Sequence, residues 1–104
     1  MAQYKVDFRM IAWEAPMDGL CFKASKQNGK QLRLVEYTKE MPPHWCENGH
    51  IGYVLEGKFE IAFEGEVVIF KPGDGIFIPA GKEHKHMGRA LTHIVKIVFF
   101  VEEV

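Results

Sequence analysis

The sequence is poor in features that would place it quickly, and each shortage removes a class of protein. Its 104 residues include only two cysteines, Cys21 and Cys46. That is too few for a disulfide-stapled scaffold, so both are expected as reduced thiols of a cytoplasmic protein. The N-terminal MAQYKVDFRM lacks the long apolar core of a secretory signal. No uncharged apolar run approaches the about 18 residues that a membrane-spanning helix needs. Charge of one sign is also missing: 13 Lys and Arg against 14 Asp and Glu give a net charge of −1, mixed along the chain. Neither nucleic acid nor an anionic membrane is therefore expected as a partner. No stretch shows the 3.6-residue period of a useful amphipathic helix, and no internal repeat or linker interrupts the chain.

What the chain does contain is a period of two. Leu32, Leu34 and Glu36 alternate with Arg33, Val35 and Tyr37. Phe59, Ile61 and Phe63 alternate with Lys58, Glu60 and Glu64, the mark of a strand with one buried face. Short apolar runs follow at Val67–Phe70 and Ile76–Ile78, then a longer one over His93–Val101. Between them stand turn signals: Gln27-Asn28-Gly29, Glu56-Gly57, Glu64-Gly65, Lys71-Pro72-Gly73-Asp74-Gly75 and Pro79-Ala80-Gly81. Short strands at this spacing predict an all-β sandwich or barrel. With 47% apolar residues and 8 Phe, the chain can bury one real core, and a single domain over residues 1–104 is expected. The segment Tyr4–Ile11 reads as a further strand, within an N-terminal piece 1–12 expected at a dimer edge.

Two glycine- and proline-rich segments carry the chemistry. PPHWCENGHIGYVLEG holds His44, Cys46 and His50, and PGDGIFIPAGKEHKH holds His84. Nitrogen and sulfur donors held on tight backbone corners suit a transition metal, provided the fold brings them together. His44 and Cys46 are two apart, so an extended chain presents both on one side.

These segments resemble the two conserved motifs of the cupins, small jelly-roll β-barrels. The second motif is matched by Gly73, Pro79, Gly81 and His84 with every spacing kept, while Met87-Gly88 stands where the trailing Asn would fall. The first runs from His44 to Gly57 in YVLEG, but Cys46 replaces its second His and His50 its Glu. The resemblance covers roughly residues 30 to 100. It implies a cupin jelly-roll barrel with His44, Cys46, His50 and His84 as metal ligands. One anionic donor is retained if Cys46 is a thiolate, so the site's charge balance survives the exchange. Sulfur in place of carboxylate shifts the expected metal to zinc, with iron or nickel behind it. The fold hosts enzymes, sensors and storage proteins, so it does not by itself specify a reaction.

Other residues are secondary. His86 and Glu47 are the candidates for moving a proton; alternation places His86 on the strand face of His84, so it is a candidate proton donor or spare ligand. Cys21 reads as a small buried hydrophobe, Trp45 and Tyr53 as facing away from the ligands, and His93 as the start of the last strand. Val54, Phe59, Ile61, Phe63 and part of Ile76–Ile78 are expected to make an apolar pocket. No arginine lies in either motif to grip a carboxylate or phosphate, and Arg33 and Arg89 remain for the rim. The first functional expectation is a metal-dependent enzyme on a small molecule, of dioxygenase, isomerase or lyase type. A non-catalytic ligand- or metal-binding module is the second, and a structural barrel that has lost its metal the third. Apolar faces and strand edges in excess of one small barrel predict a homodimer. Sedimentation showing only a species near the 11.9 kDa of one chain would refute it.

Overall fold

A computed structural model describes residues 4–102 as two antiparallel β-sheets facing one another. The strands are β1 (Glu14–Met17), β2 (Leu20–Gln27), β3 (Lys30–Tyr37), β4 (His50–Glu56), β5 (Phe59–Phe63), β6 (Glu66–Phe70), β7 (Gly75–Ile78), β8 (His86–Ala90) and β9 (Val95–Glu102). Their order is β1-β2-β3-β9-β4-β7 in the larger sheet and β6-β5-β8 in the smaller. No described helix is long and apolar enough to cross a membrane.

Alternation builds the interior as the sequence pattern requires. Val95, Ile97 and Phe99 of β9 point inward and are buried, and so are Val54 of β4, Ile76 and Ile78 of β7, and Phe59 and Ile61 of β5. Register aligns them: Val35 faces Ile97, which in turn faces Val54 across β4. The intervening residues Ile51, Tyr53 and Phe77 are exposed, Phe77 by 78%. Branched and aromatic side chains on one face thus hold the sheets together through burial, at roughly 1.5–3 kcal/mol for each large side chain.

The turns follow the glycine signals. Asn28-Gly29 closes β2 to β3 with both residues at positive φ, 50° and 74°, a geometry that the pair adopts readily. Gly65 closes β5 to β6 at φ 87°. The N-terminal segment departs from expectation. Residues 4–11 contain a short 3-10 turn at Phe8–Met10 instead of a strand. The Asp7 carboxylate accepts hydrogen bonds from the backbone N–H and the side chain of Arg9, which stabilises a turn over an extended chain. Residues 1–3 of the expected edge piece lie outside the described residues. The last strand starts at Val95, leaving His93 exposed in the loop before it.

Candidate metal centre

The two motif segments meet through backbone hydrogen bonds. The Cys46 N–H donates to the His86 carbonyl at 2.8 Å, and the His86 N–H returns the bond to the Cys46 carbonyl at 2.9 Å. Residues so paired across an antiparallel bridge carry their side chains on the same side. A further bond, from the Gly81 N–H to the Glu47 carbonyl at 3.0 Å, lays the 46–50 loop against the Pro79-Ala80-Gly81 corner. Gly49 permits that approach, since a Cβ there would lie 2.9 Å from the Ile78 carbonyl oxygen and 3.0 Å from the Ala80 nitrogen.

The result is a compact donor group. Ligand atoms of Cys46, His50 and His86 all lie within 4.8 Å of one another. Cys46 Sγ is 3.8 Å from His50 Nε2, and the His50 and His86 rings meet edge to face with centroids 5.0 Å apart. His86 is buried, and its Nε2 is the one buried side-chain nitrogen or oxygen among the described residues without a hydrogen-bond partner. Its Nδ1 lies 2.9 Å from the His84 carbonyl oxygen, an acceptor only, so Nδ1 carries the proton and Nε2 a free lone pair. An unsatisfied buried lone pair beside a thiol and a second imidazole is an arrangement that a metal ion would satisfy. The residues therefore fit a transition metal.

Of the four expected ligands, the structure brings together Cys46 and His50, and adds His86. His44 and His84 fall outside the group. His44 is exposed at the cavity mouth, with Nδ1 3.1 Å from the Pro42 carbonyl oxygen. His84 ends a 3-10 turn over Lys82–His84, so strand alternation starts only at His86 and does not extend back to His84. What His84 contributes is its backbone carbonyl. Glu47 is exposed, and it too acts through its backbone. Trp45 faces outward as expected, with the Lys85 ammonium 5.3 Å from its ring centroid. Cys21 is a free thiol on β2, away from the donors, and burial followed by the Glu36 charge raises its pKa.

Electrostatics keep the His50 ring neutral, the form that can ligate a metal. Burial, then His86 and Arg33, lower its pKa from 6.5 to about 4, so the ring is neutral at pH 7. In metal-free protein the sign follows directly. Below pH 6.5 the unfolded chain takes up a proton that the folded ring refuses until about pH 4. Stability is therefore expected to fall as pH drops through this window, by roughly 2–3 kcal/mol. Urea unfolding of apo protein at pH 7 and pH 4.5 checks this, with His50→Gln as reference. An equal decline in both proteins would refute the assignment.

The donors open onto a cavity of about 710 Å³, walled by Val35, Phe59, Ile61, Ile76 and Phe99. Of its polar residues, Tyr37 was not expected there and Arg33 was expected only at the rim. The Tyr37 phenol is held above its usual pKa chiefly by burial and then by Cys46. Arg33 lines the wall, whereas Arg89 lies outside and is paired with Glu60 at 3.1 Å. Both inward positions are implicit in the β3 alternation, once the buried face is known.

A two-sheet β-barrel with a Cys/His donor group lining an apolar cavity defines a small β-barrel protein whose donors fit a metal. The Cupin domain family model matches residues 33–100, and the chain belongs to the cupin family. It is 32% identical over 72 residues to an uncharacterised protein of Aquifex aeolicus, an alignment covering 69% of this chain and 60% of that protein. Among solved structures it is similar to KdgF from Halomonas sp., at 26% identity and TM-score 0.69, covering 89% of this chain and 88% of that one. An RmlC-like cupin from Shewanella frigidimarina superposes at TM-score 0.75 and 17% identity, over 99% and 93% of the two chains. The polyketide cyclase RemF from Streptomyces resistomycificus gives 0.77 and 20%, over 97% and 80%. These last two share the fold.

Proposed function

We propose that this cupin is a metal-dependent enzyme acting on a small, partly apolar molecule, with Cys46, His50 and His86 holding a divalent transition metal. The orphaned Nε2 of buried His86 is the observation that carries the reading. One thiolate and two imidazoles favour zinc, ahead of iron or nickel. A zinc ion held by Cys46, His50 and His86 alone would have three protein ligands, the count of catalytic rather than structural zinc. Bound there, the metal supplies a Lewis-acid centre for an oxygen of the small molecule.

The chain's own residues have separate tasks. The His84 carbonyl keeps the proton on His86 Nδ1 and so keeps Nε2 available. The apolar walls would pack against the nonpolar part of a bound molecule. Tyr37, with its pKa raised, keeps its proton and can donate a hydrogen bond into the cavity. A dioxygenase, isomerase or lyase reaction is consistent with this arrangement. One observation favours a non-catalytic ligand-binding cupin as the second reading: Glu47, the expected carboxylate base, is exposed and does not line the cavity.

Elemental analysis of protein purified without an affinity tag tests the metal. Less than about 0.2 metal per chain, with none regained on adding zinc, nickel or iron, would reject the proposal.

A further inference from the structure

The cavity holds a positive charge that the metal reading does not use. Arg33 is the one lysine or arginine that lines it, and among the described residues no carboxylate lies within 4.0 Å of its side chain. The side chain is nonetheless held in place. Its Nε donates to Gln31 Oε1 at 2.9 Å, and Gln31 is buried with 6% exposure. Its guanidinium carbon sits 4.5 Å from the centroid of the Phe22 ring, which supports the plane from one side. Neither contact neutralises the charge, and the terminal nitrogens have no hydrogen-bond partner among the described residues. A guanidinium held over an aromatic ring and by one hydrogen bond, with its terminal N–H groups unpaired among the described residues, is preorganised for a planar anion.

We propose that Arg33 is a binding residue for the carboxylate of an amphipathic organic acid. The acid's apolar body lies against Val35, Phe59 and Phe99, and its second polar group reaches Cys46, His50 and His86. The last clause rests on the metal reading; the carboxylate contact does not. A monoanion is favoured over a phosphate by charge. One guanidinium balances one carboxylate, while a phosphate dianion would leave charge uncompensated in an apolar cavity. Among the described residues Glu102 is the one carboxylate lining the cavity; it makes no ion pair with Arg33, and its charge opposes a dianion more strongly than a monoanion.

Benzoate, its neutral isostere benzamide, and phenyl phosphate are suitable probes, titrated calorimetrically into metal-free and zinc-loaded protein. Benzoate is expected to bind at least about tenfold more tightly than benzamide, the scale of a charge-assisted bidentate contact. Arg33→Met, which keeps much of the stem, should abolish that preference and leave zinc content unchanged. Arg33→Lys keeps stem and charge but not the fork, and should weaken benzoate severalfold. If the methionine variant does not fold, the lysine variant carries the test. Equal affinity for benzoate and benzamide would overturn the assignment, as would unchanged benzoate binding in either variant or tighter binding of phenyl phosphate. Benzoate preference in a protein that takes up no zinc would leave the Arg33 site standing and remove the metal. Zinc uptake without benzoate preference would do the reverse.

Discussion

His86→Ala is expected to lower bound zinc from near one per chain to below about 0.2, while His84→Ala keeps the content of the unaltered protein. The two histidines are two residues apart, and only one presents a ring nitrogen to the donor group. His86 Nε2 is buried, unpaired and held in the right tautomer by the His84 carbonyl. That carbonyl belongs to the backbone and survives the His84→Ala exchange, so the proton stays on Nδ1. Removing His86 leaves two donors, too few to hold zinc against solvent and buffer. Its effect should exceed the 10–100-fold affinity losses typical of outer partners by about another order of magnitude or more. Cys46→Ser should act in the same direction, since a hydroxyl does not ionise to replace the thiolate. Metal analysis after dialysis, with circular dichroism to confirm folding, reads the result. Loss of zinc in His84→Ala as complete as in His86→Ala would sink the three-donor site.

Gly57→Ala is expected to destabilise the barrel by about 3 kcal/mol or more, lowering the melting temperature by at least ~10 °C. Two effects coincide there. Gly57 sits at φ +81°, where a side chain is strained, and a Cβ would lie 2.2 Å from the Ile94 carbonyl oxygen and 2.6 Å from Thr92 Oγ1. The clash is with groups that are themselves committed. Thr92 Oγ1 accepts from the Lys58 N–H at 3.0 Å and donates to the Ile94 carbonyl at 2.9 Å, tying the β4–β5 turn to the entrance of β9. The neighbouring Val95, buried completely, begins the strand at the centre of the core. Gly73 supplies the control. It also has positive φ, +97°, but nothing lies within 4 Å of an added Cβ. Gly73→Ala should cost only the backbone strain, about 1 kcal/mol. Thermal unfolding of both variants gives the comparison, and equal losses would show that φ alone, not the close approach, explains the motif glycine.

Much of the site was legible because backbone geometry writes itself into glycine, proline and spacing. Gly57 and the Pro79-Ala80-Gly81 corner marked both motif segments, and the resemblance to the cupin first motif placed Cys46 and His50 at its ligand positions. His86 was visible only as a pocket-lining proton donor or spare ligand. The 3-10 turn at Lys82–His84 displaces alternation, and a turn of three residues leaves no periodic trace. The N-terminal strand failed for a related reason. Tyr4–Ile11 alternates well enough, but the Asp7 carboxylate captures the Arg9 N–H, and a local hydrogen bond defeats a pattern of hydropathy.

By itself, the sequence determined the all-β class, the turn positions, the absence of a long apolar helix, and the two segments from which any metal ligand must come. These depend on local chemistry: φ at glycine, the period of two, and which side chains can donate to a metal. Tertiary structure alone decided which donors meet and which face of β3 looks inward. Leu32 and Leu34 on one side and Val35 and Tyr37 on the other are both apolar enough to be buried, so alternation defines two faces without choosing between them. Pairing with β9 makes the choice, setting Val35 against Ile97 and turning Arg33 into the cavity. The same holds for the metal donors. The Cys46–His86 bridge spans 40 positions of sequence, and only closure of the barrel brings them together.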